Sequence, residues 1–195
     1  LPQSGEVQID RTRTQLATSW KRKLCTAHPG KDRTQKDNGR AHFSHQVLWN
    51  IALFHAARIT EMGTALQALP VTAGEMDYLK EELTKYGWTC REQDFEKETP
   101  QGPPFVNLRA RFGKAPNFLD PVRGLLTCHI DTKRGIDGFT GANDGASGAA
   151  AILETARILP ETRTRQKLEL VFFDGEESFA EHMDSDDGLY GSRHY

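Results

Sequence analysis

The 195-residue sequence lacks long apolar runs and has almost no net charge. No stretch reaches the roughly 18 to 20 apolar residues that a membrane-spanning helix needs, and the first residues, LPQSGEVQID, lack the basic-then-apolar pattern of a signal peptide. The formal charge of −2 gives no overall electrostatic reason to expect a nucleic acid or an anionic membrane as partner. We therefore predict no nucleic-acid partner and no membrane partner.

Cysteine is also scarce. Cys25, Cys90 and Cys128 lie far apart and form no CxxC motif, which argues against a disulfide scaffold and against a thiolate zinc site. The remaining composition, 37% hydrophobic and 27% charged, is ordinary for a globular protein and names no function.

Charge and hydrophobicity divide the chain in two. Residues 1–40 contain nine Lys or Arg against four Asp or Glu and few large apolar groups, so we predict a disordered basic tail there. The alternative, an arm for an acidic partner or a nucleic acid, lacks interleaved aromatic residues. Residues 41–195 are predicted to form one α/β domain.

Periodicity predicts the elements of that domain. A helix is expected from Ser44, with Val47, Ile51 and Phe54 on its apolar face. A second helix is predicted to begin at a capping-box pair, Thr72 with Glu75, and to end at Gly87. Its apolar stripe consists of Met76, Leu79, Leu83 and Tyr86. Strands are predicted at Trp88 to Phe95, Phe105 to Phe112, Gly124 to Ile130 and Leu168 to Phe173, with a helix at Ala146 to Leu159. The strand at Gly124 to Ile130 is followed by the helix at Ala146 to Leu159 and then by the strand at Leu168 to Phe173. This order predicts a βαβ crossover and a sheet with parallel members.

Polar residues follow the predicted strands at the places where ligands bind in such sheets. The sequence CHIDT (128–132) ends one strand, GANDG (141–145) precedes the helix, and DGEE (174–177) ends the next strand. We therefore expect His and carboxylate side chains from three elements to meet at one edge of the sheet.

This set of residues suits a catalytic zinc ion, which needs about three protein ligands and an open position. Asp144 and Glu177 are the candidate ligands, and Glu176 is the candidate acid and base because it stays free beside a Lewis acid. His129 could bind metal directly, while Asp131 could orient it or support the ligands without touching the ion.

Each motif also has a purely structural reading. DGEE alone is a common exposed turn, HxD alone is weaker still, and Asp144 alone is best read as a helix cap. Their combination at consecutive strand ends favours a functional site.

Four segments together resemble a known family: CHIDT, GFTGANDGASGAAAILETARIL, LELVFFDGEESF and DGLYGSRHY. They are similar to the core of the glutaminyl cyclase branch of the zinc aminopeptidase superfamily, over roughly Ser44 to Tyr195 and most strongly from Leu125 onward. The resemblance implies a three-layer α/β/α fold with a mixed, largely parallel sheet, of which this chain carries the N-terminal part. It also weakly favours a secreted or periplasmic location.

The same resemblance implies residue roles. Asp144 and Glu177 would be zinc ligands and Glu176 the general acid and base, with one zinc ion favoured and two possible. His129 would bind a second zinc in the two-metal aminopeptidases and stay unliganded in the cyclases. The segment Ser185 to His194 would line the substrate pocket.

Two positions depart from the family pattern. Animal cyclases have a cysteine pair at the metal strand, but here only Cys128 is present and Ala149 stands at the partner position, so no disulfide is expected. An aromatic residue that many relatives carry after DGEE is replaced around Met183.

The expected activity is aminoacyl transfer, in which N-terminal glutaminyl residues of peptides or proteins cyclise to pyroglutamyl residues with release of ammonia. The alternatives are a zinc aminopeptidase and a non-catalytic binding domain of the same fold. The family's remaining ligand comes from a much later loop, which His182 and His194 replace poorly. We therefore expect the 195 residues alone to bind zinc weakly and to be inactive.

Overall fold

The structure, a computed structural model, describes residues 45–63, 73–99, 104–159 and 167–195. The predicted basic tail, the start of the first helix at Ser44 and the cap at Thr72 lie outside these residues. The elements are α1 (His45–Gly63), α2 (Ala73–Lys85), β1 (Trp88–Glu96), β2 (Pro104–Phe112), β3 (Gly124–His129), α3 (Ala146–Ile158), β4 (Leu168–Phe173) and α4 (Tyr190–His194). Among these helices, none combines the length and the apolar character that crossing a membrane requires.

The four strands form one mixed sheet in the order β1-β2-β4-β3. β1 pairs with β2 and β2 with β4 in antiparallel fashion, whereas β3 and β4 are parallel neighbours. The chain passes from β3 to β4 through α3, so the predicted βαβ unit is present. The described part of the sheet is thus partly, not largely, parallel.

Alternation along the strands separates an apolar face from a mixed one. Leu108 and Ala110 of β2, and Leu170 and Phe172 of β4, are fully buried in the main core. Buried side chains of all three long helices join this core, namely Ile59, Met76, Leu79, Leu83, Ala149, Ile152, Leu153 and Ala156. The alanine-rich sequence of α3 lets that helix approach the sheet closely.

One helix face differs from the prediction. Phe54 is 38% exposed, and the inward positions of α1 are His55 and Ile59. The predicted stripe is therefore wrong at Phe54. The reason is that His55, a polar residue, occupies the core side, where its Nδ1 lies 2.7 Å from the Tyr78 hydroxyl of α2.

The other face of the sheet is covered by α4 and by the loop after β2. Phe95, Phe105 and Tyr190 form a small aromatic cluster there. Beside it the fully buried Glu169 accepts hydrogen bonds from Arg109 and Arg111, at 2.5 and 2.6 Å. Helices therefore pack on both sides of the sheet, and α4 continues directly from the segment that carries the glutamate pair.

Candidate functional site

The candidate site lies where β3 and β4 end together. His129 is in register with Phe173, and the Ile130 amide donates to the Phe173 carbonyl at 3.0 Å, which extends the pairing one residue past β3. Since the strands are parallel, the residues after Ile130 and after Phe173 emerge at the same edge. The predicted juxtaposition of CHIDT and DGEE is therefore present.

The DGEE turn is an integral part of the fold. Asp174 is fully buried, and its carboxylate accepts from the Val106 amide at 3.0 Å. Gly175 has a φ of 66°, and a Cβ at this position would overlap the Phe105 ring. The reading of DGEE as a common exposed turn is therefore wrong for this chain.

Asp131 holds the glutamate pair in place. Its side chain is buried, and its two carboxylate oxygens accept from the amides of Glu176 at 3.0 Å and Glu177 at 2.9 Å. The distance from Asp131 Oδ1 to His129 Nδ1 is 3.7 Å, too long for a hydrogen bond but close enough for charge attraction. Asp131 thus fixes the backbone of the turn and also faces His129.

Asp144 reaches the same place from the loop before α3. The N-cap of α3 is Gly145, with a φ of 100° and no side-chain cap, so the structural reading of Asp144 as the helix cap is wrong. Its Oδ1 lies 3.1 Å from His129 Nε2, and its side chain is 57% exposed. Asp144 is thus free for another role.

The site is crowded with negative charge. Burial and the Asp131, Asp144 and Glu176 carboxylates raise the pKa of Glu177 above its usual value. Burial likewise raises the pKa of Glu176, with His129 opposing it. Burial alone would lower the pKa of His129, but the surrounding carboxylates raise it to about 9. The surrounding carboxylates therefore favour the protonated form of His129.

An open cleft of about 530 Å³ runs past these residues. Asp144 and Glu177 both line it, and Ile136, Phe139 and Met183 add apolar surface. Its remaining lining residues are Lys133, Ser178, Glu181 and His182. Its volume lies within the range that is usual for small-ligand pockets.

The predicted pocket segment packs against the turn. The amides of Leu189 and Tyr190 donate to the carbonyls of Glu176 and Gly175, both at 2.8 Å. The Asp187 carboxylate accepts from the Ala180 amide at 2.7 Å and the Phe179 amide at 2.8 Å. Although burial alone would raise the pKa of Asp187, these bonds hold it below its usual range. Within the segment Ser185 to His194, Leu189 and Tyr190 therefore support the backbone of the turn, and Asp187 supports the backbone of the loop that follows it.

The donor set fits a divalent cation only in part. Asp144 and Glu177 are two carboxylates on one cleft, and the raised pKa of Glu177 comes first from burial and then from repulsion by neighbouring carboxylates, which a cation would relieve. Across residues 45–63, 73–99, 104–159 and 167–195, however, no group of three His, Cys, Asp or Glu residues is arranged to hold a metal ion.

From the sequence, Lys133 has no predicted role, and Asp187 is predicted only as part of the pocket segment Ser185 to His194 or of a turn at Asp187-Gly188. Lys133 follows Asp131 at a spacing of two, as Asp131 follows His129, and in an extended segment such residues share one side. That spacing was the available signal. For Asp187 the signal is the Asp187-Gly188 pair, which is typical of a turn and does not indicate which amides the carboxylate binds.

Several known proteins are similar to this chain in sequence. Residues 107–195 match Peptidase family M28. A glutaminyl-peptide cyclotransferase-like protein of Mus musculus is 38% identical over 121 residues, which cover 55% of this chain and 30% of that protein. The glutaminyl-peptide cyclotransferase of Drosophila melanogaster is 33% identical, covering 60% of this chain and 34% of that protein. The chain thus spans about a third of the length of these curated relatives.

Several solved structures share the fold of this chain. A glutaminyl cyclase from Porphyromonas gingivalis superimposes with a TM-score of 0.61 at 28% identity, covering 74% of this chain and 51% of that one. An Acidobacteriales glutaminyl cyclase gives a TM-score of 0.62 at 25% identity, covering 84% and 55%. A Zn-dependent exopeptidase from Parabacteroides distasonis, at 24% identity and a TM-score of 0.57, has the same fold. The α/β fold with a mixed sheet is confirmed, and so is the predicted resemblance to glutaminyl cyclases, while residues 107–195 match Peptidase family M28.

Proposed function

We propose that the protein cyclises N-terminal glutaminyl residues of peptides or proteins to pyroglutamyl residues and releases ammonia. The observation that carries this proposal is the position of Glu176, held by Asp131 beside a cleft that Asp144 and Glu177 line. The curated relatives, named as glutaminyl-peptide cyclotransferases at 33 to 38% identity, support this chemistry over others of the same fold.

In this reaction Glu176 moves one proton. The substrate's α-amine nitrogen attacks its side-chain amide carbon, so a C–N bond forms and the amide's own C–N bond breaks. Glu176 accepts the proton that the amine loses and returns it to the departing nitrogen, which leaves as ammonia. A raised pKa suits this role, because the carboxylate must take and then release a proton near neutral pH.

We infer that Asp144 and Glu177 would hold one zinc ion. When bound, zinc would polarise the side-chain amide carbonyl as a Lewis acid. The part of the chain that the structure describes offers no third ligand beside these two, because no three of its His, Cys, Asp or Glu residues form a group that could hold a metal ion. His129 ranks below the two carboxylates because its Nε2 already faces Asp144 at 3.1 Å. A second zinc at His129 stays an alternative.

Two other functions use the same site. In a zinc aminopeptidase Glu176 would activate water to attack a peptide carbonyl, and the shared fold with the Zn-dependent exopeptidase favours this candidate. A non-catalytic binding domain is favoured by Met183, which lines the cleft where many relatives are expected to carry an aromatic residue.

The experiment compares Glu176→Gln with the parent protein on two substrates, a Gln-initiated peptide assayed for ammonia and a neutral aminoacyl amide. We expect the parent to cyclise the peptide and the variant to lose roughly a hundredfold or more in turnover while keeping its metal, since an amide cannot shuttle a proton. Glu96→Gln, on the exposed side of β1, is the control.

Cleavage of the aminoacyl amide without cyclisation of the peptide would make the aminopeptidase the correct function. A folded full-length protein that binds no zinc and acts on neither substrate would favour the binding domain. Full activity in Glu176→Gln would remove Glu176 from the mechanism.

A further inference from the structure

Lys133 spans the gap between the end of β3 and the loop that follows the glutamate pair. Its Nζ donates to the carbonyl oxygens of Ser178 and Ala180, both at 2.6 Å, and to the Ser178 hydroxyl. A lysine ammonium has three donors, so these three acceptors use all of them. The ammonium is therefore committed to the loop, although the side chain also lines the cleft.

The loop is held through both kinds of backbone group. Asp131 accepts from the amides of Glu176 and Glu177, and Asp187 accepts from the amides of Phe179 and Ala180. Lys133 supplies the opposite interaction, because it binds carbonyls. Ser178, which directly follows Glu177, is thus fixed at its oxygen atoms while Glu177 is fixed at its nitrogen.

The sequence of the segment explains why one short stretch can do this. His129, Asp131 and Lys133 occupy every second position in the segment that continues from β3, and in an extended segment such residues share one side. His129 meets Asp144, Asp131 meets the glutamate amides, and Lys133 meets the loop one step further.

We propose that Lys133 is a positioning residue that fixes Ser178 to Ala180 and thereby holds Glu177 at its working position in the cleft and Glu176 at its position beside the cleft. This inference rests on the proposed function for its kinetic readout. It assigns Lys133 no contact with substrate and no part in proton transfer. Without the hydrogen bonds from Lys133, the main chain after Glu177 can shift. Displacement of a catalytic group by about 1 Å can cost on the order of a hundredfold in rate.

The test uses the full-length protein with Lys133→Met, which keeps the apolar stem, and Lys133→Arg, which keeps the charge and donors. Lys114→Met, at an exposed lysine after β2, is the matched control. The readouts are kcat and KM for the Gln-initiated peptide, zinc affinity, and hydrogen exchange of the amides of Phe179 and Ala180.

For Lys133→Met we expect kcat to fall tenfold to a hundredfold, on the order given for misplaced groups, with KM changed less than about threefold. Zinc affinity falls and exchange at Phe179 and Ala180 rises. Lys133→Arg recovers a large part of kcat, and the control matches the parent in all readouts.

Two results would overturn the proposal. A raised KM with unchanged kcat would mean that Lys133 binds substrate directly, and a lowered melting temperature with unchanged kcat, zinc affinity and exchange would make it a residue of stability alone. If the parent does not cyclise glutaminyl peptides, the proposed function fails separately. Zinc affinity and hydrogen exchange then still decide the role of Lys133.

Discussion

At the scale of residues, Asp144 and Glu177 are the two carboxylates that we propose as zinc ligands. Both line the cleft, and Asp144 has a side chain that is 57% exposed and does not cap α3. We expect Asp144→Ala and Glu177→Ala each to reduce the zinc content of the full-length protein sharply, because each removes an anionic ligand. Elemental analysis of folded protein measures this, with Glu96→Ala as control. Unchanged zinc in either variant would remove that residue from the ligand set.

Asp131 provides a second prediction at this scale. An asparagine has one acceptor oxygen where the carboxylate has two, so Asp131→Asn leaves one glutamate amide without its partner and turns an NH₂ group toward it. We expect a loss of about 1–3 kcal/mol in the free energy of unfolding, the usual cost of an unsatisfied buried group. Urea denaturation measures it, and the exposed Asp94→Asn should change little. Equal stability of both variants would contradict the anchoring role.

The sequence was sufficient to name the carboxylates and Asp131, which holds the glutamate pair, but not the two other residues that fix the following loop. Asp144, Glu176 and Glu177 follow predicted strands or precede a predicted helix, so topology alone brings them together. Lys133 and Asp187 act on main-chain atoms of a loop whose path depends on the folded structure. The type of a residue and its spacing in the sequence do not show which main-chain atoms of a loop it will contact.

At the scale of elements, hydrophobic patterns predicted the strands and α2 well because most of their buried positions are apolar. Met76, Leu79 and Leu83 are buried as their spacing requires. The inward face of α1 was misassigned because a buried histidine, paired with Tyr78, replaces an apolar residue there. Periodicity counts apolar residues and so cannot detect a polar one that finds a partner in the core.

The docking of α4 gives a prediction at this scale. Gly191 packs so closely that a Cβ would overlap the Asp174 carbonyl oxygen and Asn107 Oδ1, while the Asn107 side chain donates to the Gly191 carbonyl at 3.0 Å. We expect Gly191→Ala to push α4 away from the sheet and to lower stability by about 1–3 kcal/mol, as overpacking does. Thermal unfolding measures this. The neighbouring exposed Ser192→Ala should unfold like the parent, and a similar result for Gly191→Ala would show that α4 adapts without cost.

At the scale of the whole molecule, β3 is an edge strand of the described sheet, next to the candidate site. Leu125 on this strand is 44% exposed, and Leu119 in the loop before it is 86% exposed. Exposed edge strands with apolar side chains favour association with other chains. The solved relatives are about twice as long as the part that this chain matches, since it covers 51% and 55% of two of them.

Zinc affinity therefore depends on how many ligands one polypeptide brings to the cleft. The described residues present two carboxylates and no group of three potential ligands, whereas a catalytic zinc site usually has three protein ligands. We expect the 195-residue polypeptide alone to bind zinc weakly, to be marginally stable or to aggregate, and to show little cyclisation. A polypeptide of the relatives' full length should gain in all three respects. Side-by-side expression, with zinc titration, light scattering and ammonia release measured on each, tests this. If the 195-residue form is monomeric, binds zinc tightly and turns over glutaminyl peptides, a third ligand must come from within it, and His129 is then the first residue to substitute.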